Sequence, residues 1–289
     1  MTFWRQLSPS RAHKLAGGTA FGMTDVGPVR SSNEDNFLID ETLGLVILGD
    51  GMGGHFGGEI ASAEALTAVR DHVRAAWHAA SEDDDKTIAA TPHPRSSAIF
   101  DASDPEATWS DQNMPPLLAM YDAVEYANAH LYAQNAAQDR IDGDGMGTTL
   151  TGIWHPAAAA PMVVFHVGDS RLYRHRAGAL EILTRDQTQY QAALDSGLID
   201  HLPSRNFLLQ AVGPTPHVKP DVRSHTVQAG DLYMLCSDGL HGPVPHGEIA
   251  AVMGACTMDG MQAACTKLIA LAKEYGGRDN ITVVMMSCP

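Results

Sequence analysis

Short apolar runs that end in aspartate and glycine constrain this fold more than any other feature of the sequence. The runs 45–49, 163–167 and 232–236 are each followed within two residues by an Asp with a Gly beside it, and Gly and Asp also precede the run 281–286. Apolar runs of this length between turn residues are typical of β-strands. A single Asp after a strand is usually a turn former that hydrogen-bonds its own backbone. Four of them favour a second interpretation, in which strands of shared sheets bring their carboxylates to one edge.

The rest of the pattern predicts an α+β protein with antiparallel sheets. Apolar side chains recur at steps of three and four over 59–79, from 115 onward and from 261 to the glycines at 276–277, which predicts three amphipathic helices. A shorter helix is predicted over 187–196. Runs of strands followed by runs of helices argue against an alternating parallel fold. The predicted strands are 19–26, 36–39, 43–48, 148–154, 162–167, 171–175, 180–183, 222–227, 232–236 and 281–286.

Two segments fall outside this pattern. Residues 1–18 are basic and lack an apolar core, which predicts a loosely held N-terminal arm and not a secretory signal. Residues 81–116 are acidic, rich in Pro, Ser, Asp and Ala and without period, which predicts an irregular surface insertion. The insertion is interpreted as a tolerated loop or, alternatively, as a docking surface. The remaining chain, 19–289, is expected to form a single domain.

Charge and cysteine content exclude several classes of protein. The 289 residues contain 19 Lys and Arg against 34 Asp and Glu, a formal charge of −15, which disfavours binding to phosphate backbones of nucleic acids. This charge is consistent with solubility alone or with carboxylates that face a bound divalent cation. The four cysteines form no C-x-x-C pair and lie in apolar runs, as buried free thiols do in a reducing cytoplasm. No window is apolar enough to span a bilayer.

The carboxylates at strand ends predict a metal site. Hard cations such as Mg²⁺ and Mn²⁺ prefer oxygen ligands, and the adjacent glycines allow close approach of a backbone carbonyl. Arg30 precedes the adjacent acids Glu34 and Asp35 by a few residues. This block is an ordinary turn with a surface ion pair or, alternatively, a guanidinium fork for a phosphate beside two acids that hold metal-bound waters. The chemistry therefore favours a metal-dependent hydrolase of phosphate esters.

The order of the motifs along the chain resembles a known family. The sequence is similar to the metal-dependent Ser/Thr protein phosphatases of the protein phosphatase 2C type, in their bacterial form, over roughly residues 19–286. Each motif is short enough to arise by chance, but all of them occur in the family's order. They are the block from Arg30 to Asp35, Asp50-Gly51-Met52-Gly53-Gly54-His55, Gly147-Thr148-Thr149, Gly168-Asp169-Ser170-Arg171, Ser237-Asp238-Gly239-Leu240 and Asp279-Asn280-Ile281-Thr282.

The resemblance implies a fold and a set of roles. The fold is a central antiparallel β-sandwich flanked on both sides by pairs of α-helices, with a two-metal centre at one end that holds Mn²⁺ or Mg²⁺. A water bridging the two cations would attack phosphorus in line with the Ser or Thr oxygen. Carried over by position, the roles are metal binding by Asp50, the Gly51 carbonyl, Asp238 and Asp279, a third metal at Asp169 with Asp238, water-mediated metal contacts at Glu34 and Asp35, and phosphate binding by Arg30.

The sequence also departs from the family pattern. The histidine that follows Asp-Gly in animal relatives is Met52 here, so His55 is a candidate general acid or, alternatively, a structural group, and a water at the third metal is another candidate acid. Where relatives continue with Asp-His-Ser, this chain has Asp186-Gln187-Thr188. The segment 186–213, which we call the flap, is expected to face the substrate, and its part 194–209 is a few residues shorter than in many members.

Three functional hypotheses remain open at the sequence level. The first is an active phosphatase of phosphoserine and phosphothreonine proteins. The second is a catalytically silent module that binds phosphoproteins, and the third is a phosphatase of small phosphate esters. The first is favoured because every matched metal position retains its carboxylate and Arg30 is present. The resemblance further implies phosphorylated proteins and a cognate eukaryotic-like Ser/Thr kinase as partners, and we expect a cytoplasmic monomer without nucleic-acid or membrane partners.

Overall fold

The secondary structure follows the predicted runs closely. The computed structural model describes residues 6–53, 57–82, 114–140, 143, 145–157 and 160–289. Its helices are α1 Gly58–Glu82, α2 Met114–Ala136, α3 Gln189–Asp195, α4 Asp238–His241, α5 His246–Gly254 and α6 Met261–Glu274. Its strands are β1 Ala12–Leu15, β2 Gly18–Asp25, β3 Asn36–Asp40, β4 Leu45–Gly49, β5 Gly51–Met52, β6 Gly147–Thr148, β7 Leu150–Trp154, β8 Met162–Val167, β9 Arg171–Arg176, β10 Ala179–Ile182, β11 Asp221–His225, β12 Leu232–Cys236 and β13 Ile281–Ser287.

Two antiparallel sheets form the centre of the molecule. One has six strands in the order β1-β2-β13-β12-β9-β10, and the other has five in the order β11-β8-β7-β4-β3. The side chains of a strand alternate between its two faces, so β4 contributes Val46 and Leu48 to the core between the sheets and Leu45 and Ile47 to the opposite face. Both faces are buried, which explains why this strand is a continuous apolar run.

Helices cover the outer face of each sheet. Apolar residues of α1 and α2 pack with the outer face of the five-stranded sheet, and those of α4, α5 and α6 pack with the outer face of the six-stranded sheet. The periodic positions of α2 that predicted the helix, such as Met120 and Val124, are completely buried. The predicted sandwich with helices on both sides is thus confirmed.

The structure differs from the sequence-based expectation in a few segments. Part of the expected loose arm is the edge strand β1, in which His13 and Leu15 are buried. The helix α5 was not predicted, because its nine residues are too few for a helical period to stand out. The helices α1 and α2 extend into both ends of the expected insertion, whose residues 83–113 lie outside the described part of the chain.

The sheets bring a defined set of strand ends to one edge. The end of β4 lies beside the start of β3, since Gly49 pairs with Asn36, and the end of β8 lies beside the start of β7. In the other sheet the end of β12 lies beside the start of β13 and the start of β9. The predicted carboxylates follow or precede these ends directly. Among the described residues, no helix is long and apolar enough to cross a membrane.

Candidate metal centre

A polar cavity of about 220 Å³ lies at this edge of the two sheets. It brings together five of the carboxylates predicted from the sequence, the predicted phosphate-binding arginine and two residues of the flap. Its described lining residues are Arg30, Glu34, Asp50, Gly51, Met52, Gly53, Thr149, Asp169, Asn206, Leu208, Asp238, Asp279 and Asn280.

Asp50 is held at the floor of the cavity by its backbone. Its N–H donates to the Thr149 hydroxyl at 2.9 Å, and its carbonyl accepts from the Thr148 hydroxyl at 3.0 Å and from the Thr149 N–H at 2.9 Å. Thr148 ends β6, which pairs with β5, and Thr149 directly precedes β7, which pairs with β4. The Gly-Thr-Thr motif therefore fixes the direction in which the Asp50 side chain leaves the sheet.

Gly51 lies where two other backbone segments approach closely. A Cβ placed on it would lie 2.2 Å from the Gly58 carbonyl oxygen and 2.4 Å from the Glu34 carbonyl oxygen. A Cβ on Gly58 would in turn lie 2.3 Å from a carboxylate oxygen of Glu34. The two glycines allow the start of α1 and the Glu34 segment to pack against the residue after Asp50, which places Glu34 in the cavity wall.

Asp238 and Asp279 are brought together by the contact between the residues that follow them. A Cβ on Gly239 would lie only 1.9 Å from the carbonyl oxygen of Asn280. Any larger residue at position 239 would push the start of α4 away from the start of β13 and separate the two carboxylates. The glycine of the Ser-Asp-Gly motif is therefore a requirement of packing.

Asn280 organises the loop that carries Arg30 and Glu34. Its side-chain amide donates to the carbonyl oxygens of Val26 at 3.0 Å and Ser32 at 2.9 Å, and its side-chain oxygen accepts from the Glu34 N–H at 2.8 Å. Asn280 belongs to the last motif of the chain, but the motif alone predicts no role for it. Its position between Asp279 and the strand β13 is visible in the sequence and could have indicated a structural role, because a buried amide needs hydrogen-bond partners.

Asp35 lies behind the cavity and is not among its lining residues. Its side chain is 1% exposed and accepts from the hydroxyls of Ser237 at 2.8 Å and Thr282 at 2.7 Å. Burial, followed by the repulsion of neighbouring aspartates, raises the pKa of Asp35 although these two hydrogen bonds lower it. The side chain thus joins the segments that precede Asp238 and follow Asp279.

Asp169 lies on the tight turn between β8 and β9. Gly168 adopts a positive φ of 103°, and a Cβ on it would lie 2.7 Å from a methyl carbon of Thr149. The carboxyl is 9% exposed. Burial and the charges of Asp238 and Asp186 raise the pKa of Asp169 to about 7.

Burial, reinforced by like charges, disfavours the charged forms of several carboxyls in the cavity. Burial and the repulsion of Asp35, Asp238, Asp169 and Asp279 raise the pKa of Asp50 well above its ordinary value. The pKa of Asp238 is raised as well, by burial and by Asp279. Protonation relieves this penalty at low pH, and positive charge in the cavity would relieve it at neutral pH.

Arg30 is the cation that the described residues contribute to the cavity wall. It donates to a carboxylate oxygen of Asp279 at 2.7 Å, and its side chain is 50% exposed. Burial opposes its charge, but the hydrogen bond to Asp279 and the fields of Glu34 and Asp50 outweigh burial and raise the pKa of Arg30. A half-exposed guanidinium at the rim keeps donors for an incoming anion.

The donor set fits hard divalent cations. Apart from the Met52 thioether, the side chains that could ligate in the described wall offer oxygen, from carboxylates, Thr149 or the amides of Asn206 and Asn280, and none is Cys or His. Mg²⁺ and Mn²⁺ prefer this set. No group of three or more His, Cys, Asp or Glu side chains has the arrangement of a formed metal site in the described part of the chain. The carboxyls engage other partners instead, since Asp50 hydrogen-bonds Asp238 and Asp279 pairs with Arg30.

The remaining predicted site residues have mixed outcomes. Met52, the residue that follows the Asp-Gly pair, lines the cavity. His55 lies outside the described residues, so its role as an acid stays a prediction. The flap reaches the cavity through Asn206 and Leu208. Of the four cysteines, Cys236, Cys265 and Cys288 are buried free thiols and Cys256 is half-buried.

Comparisons with known proteins agree with this geometry. The family pattern described as protein phosphatase 2C matches residues 29–272. The serine/threonine protein phosphatase PstP of Mycobacterium tuberculosis is 34% identical over 270 residues, which cover 91% of this chain and 43% of that protein. This chain therefore spans less than half of the length of that relative. The serine/threonine phosphatase stp of Listeria monocytogenes is 30% identical over 271 residues, which cover 91% of this chain and 93% of that protein.

Solved structures show the same architecture. The crystal structure of the catalytic domain of the serine/threonine protein phosphatase PstP in complex with two manganese ions superimposes with a TM-score of 0.67 and 31% identity. The match covers 93% of this chain and 96% of that one. The pattern match, the relatives and the shared fold together show that this chain belongs to the protein phosphatase 2C family.

Proposed function

We propose that this chain is a metal-dependent protein serine/threonine phosphatase that hydrolyses phosphoserine and phosphothreonine by direct attack of water. One observation carries the proposal. Five carboxylates and one arginine surround a single cavity at the sheet edge, and the charged forms of several of these carboxyls are strongly disfavoured without a counter-charge. A silent phosphoprotein-binding module has no need to retain all of these groups.

The proposal assigns roles to residues by their position in the cavity. The protein ligands of two divalent cations, Mn²⁺ or Mg²⁺, would be Asp50, the Gly51 carbonyl, Asp238 and Asp279. A third cation would be held by Asp169 together with Asp238. The resemblance predicts that both Glu34 and Asp35 act through water. The placement of Glu34 in the cavity wall supports that role for Glu34, whereas Asp35, buried behind the wall, would act through its hydrogen bonds to Ser237 and Thr282 and through its charge.

The chemistry divides between the cations and the chain. When bound, divalent cations lower the pKa of a coordinated water and neutralise phosphate charge. The Arg30 guanidinium would bind the phosphate oxygens through its planar fork and orient the ester toward the carboxylates. The absence of Cys and His from the described cavity wall supports direct hydrolysis over transfer through a side chain of either type.

The biological setting is part of the proposal. We infer that the substrates are proteins phosphorylated by a eukaryotic-like Ser/Thr kinase of the same cell, and that the chain acts in the cytoplasm. The support is membership of a family whose relatives are named serine/threonine protein phosphatases.

The test is hydrolysis of a phosphothreonine peptide and of a small aryl phosphate by purified protein with EDTA, Mg²⁺ or Mn²⁺. We expect turnover of the peptide that requires the cation and disappears with EDTA. Asp50→Asn should reduce turnover at least a hundredfold, because it removes a charge shared by the site. Asp221→Asn is the matched control, since Asp221 lies on the edge strand β11 outside the cavity wall.

Each outcome has a distinct meaning. Cation-dependent turnover of the aryl phosphate without any turnover of the peptide would show that the substrates are small phosphate esters and not phosphorylated proteins. Folded protein that turns over neither compound with any cation would refute the phosphatase and favour the binding module.

A further inference from the structure

Gln187 makes contacts in two directions from the start of the flap. Its side-chain oxygen accepts from the Gly168 N–H at 2.9 Å, and its own N–H donates to the Gly168 carbonyl at 2.7 Å. Its carbonyl accepts from the Leu209 N–H at 2.7 Å. One residue thus holds the turn before Asp169 on one side and the returning segment of the flap on the other.

The contact with Gly168 acts directly on Asp169. Gly168 is the residue before Asp169, and its positive φ leaves the peptide orientation to be set by hydrogen bonds and by its contact with Thr149. Gln187 hydrogen-bonds both the N–H and the carbonyl of Gly168. A change in the Gln187 side chain would therefore alter the hydrogen bonding of the peptide that precedes Asp169.

The contact with Leu209 is important because the flap has little other attachment. No residue between Thr188 and Val212 is buried, and this described stretch includes the whole of α3. A seven-residue helix without buried side chains has little stability of its own. The flap therefore depends on backbone pairing at its base, where Leu209 meets Gln187 and the Gln189 N–H donates to the Phe207 carbonyl.

The neighbouring ion pair fixes the base of the flap without reaching Gly168. Asp186 accepts from Arg171 at 2.8 and 2.7 Å in a bidentate pair. This pair anchors the residue before Gln187 to β9, beyond Asp169. The ion pair therefore restrains the backbone next to Gln187, which contacts both Gly168 and Leu209.

We propose that Gln187 is a positioning residue that couples the flap to the Asp169 loop, so that cation binding at Asp169 depends on the attachment of the flap. The inference rests on the proposed role of Asp169 as a cation ligand. It also gives a function to the position at which this chain departs from the Asp-His-Ser pattern.

The test is a double-mutant cycle on Mn²⁺ binding, measured by calorimetry on metal-stripped protein. Asp169→Asn should remove one Mn²⁺ site and thereby identify it. Gln187→Met, which keeps length but loses the acceptor, should weaken that same site about fivefold and leave the other sites unchanged. In the Asp169→Asn background, Gln187→Met should have no further effect on Mn²⁺ binding, because its route to the cation is gone.

Hydrogen exchange distinguishes coupling from a local change. Gln187→Met should speed amide exchange in both 167–171 and 207–211, whereas Gln187→Glu keeps an acceptor oxygen and should retain the protection of both segments. Gln210→Met is the matched control, since the Gln210 side chain accepts from the Lys219 N–H at 3.0 Å and not from the Asp169 loop. It should leave the Mn²⁺ site unchanged.

Several results would overturn the inference. Unchanged Mn²⁺ affinity in folded Gln187→Met would do so, as would an effect of Gln187→Met that persists in the Asp169→Asn background. Retention of all Mn²⁺ sites by Asp169→Asn would remove its basis. Failure of the proposed phosphatase activity is a separate outcome, because the binding cycle reads the coupling without any turnover.

Discussion

The replacement Asp169→Asn should stabilise the protein in EDTA while it impairs the cation site. Asp169 is 9% exposed, and burial with the charges of Asp238 and Asp186 raises its pKa to about 7. An unfolded Asp has a pKa of about 3.9, so the folded protein binds the proton more tightly than the unfolded chain does. The charged carboxyl therefore destabilises the fold, and the cost grows as pH rises from about 4 to about 7.

The pKa difference sets the size of the expected effect. A rise from about 3.9 to about 7 corresponds to about 4 kcal/mol at neutral pH. Water and side-chain rearrangement in an open cavity reduce such values, so we expect Asp169→Asn to gain roughly 2 kcal/mol at pH 7.5. For a chain of 289 residues this corresponds to a rise in melting temperature of about 4 °C.

Thermal unfolding in EDTA between pH 4 and pH 8 is the assay. The advantage of Asp169→Asn should be near zero at pH 4, where the wild-type carboxyl is protonated, and complete above pH 7. Excess Mn²⁺ should reduce or reverse it, because the wild type then gains binding free energy that the variant lacks. An Asp169→Asn protein that is less stable than wild type in EDTA at pH 7.5 would refute the reasoning.

Three further predictions follow from single contacts. Asp231→Asn should act in the opposite direction to Asp169→Asn. Burial opposes the charge of Asp231, but hydrogen bonds from Arg176, Gln228 and Tyr233 outweigh burial and lower the pKa of Asp231. The free energy of unfolding of the variant, measured by urea titration at pH 7, should therefore fall by about 2 kcal/mol. That loss should shrink as pH falls below about 4, and a loss independent of pH would contradict the ion-pair account. Arg30→Ala should lower kcat/KM for a phosphothreonine peptide by about tenfold to a hundredfold, mainly through KM at saturating Mn²⁺, and an unchanged KM would remove Arg30 from phosphate binding. Gly239→Ala should lower the urea midpoint by the equivalent of about 2 kcal/mol, because its Cβ would lie 1.9 Å from the Asn280 carbonyl, and a wild-type midpoint would show that α4 can shift freely.

The sequence predicts central strands well and edge elements poorly. The run Leu232–Cys236 is a strand with the predicted bounds because both of its faces are buried, one against helices and one against the other sheet. The strand Ala12–Leu15 has the sequence AHKL, which carries no strand signal. It forms because its backbone pairs with β2, and pairing of that kind is decided by a partner strand and not by local propensity.

In the candidate site, the side chains that carry the chemistry are predictable from the sequence, and the contacts with the backbone are not. Aspartates near glycine at strand ends are visible in the sequence, and all four of them meet at one cavity together with Glu34. The roles of Asn280, Gly239 and Gln187 are not visible, because each depends on a contact with the backbone of a distant segment. The motifs contain the residues that make such contacts, but only the fold shows which backbone segments these residues hold together.

The different positions of the adjacent acids Glu34 and Asp35 follow from the geometry of an extended backbone. Consecutive side chains in an extended segment point to opposite faces, so two neighbouring acids before a strand cannot both face one cavity without a turn between them. The structure follows this rule: Glu34 lines the cavity, and Asp35 is buried between Ser237 and Thr282. Asp35 would therefore act on bound cations through the two segments it joins and through its charge, which contributes to the raised pKa of Asp50. Asp35→Asn would keep an oxygen that accepts from both hydroxyls, but it would remove the negative charge. The variant therefore separates the effect of these two hydrogen bonds from the effect of the charge on the pKa of Asp50.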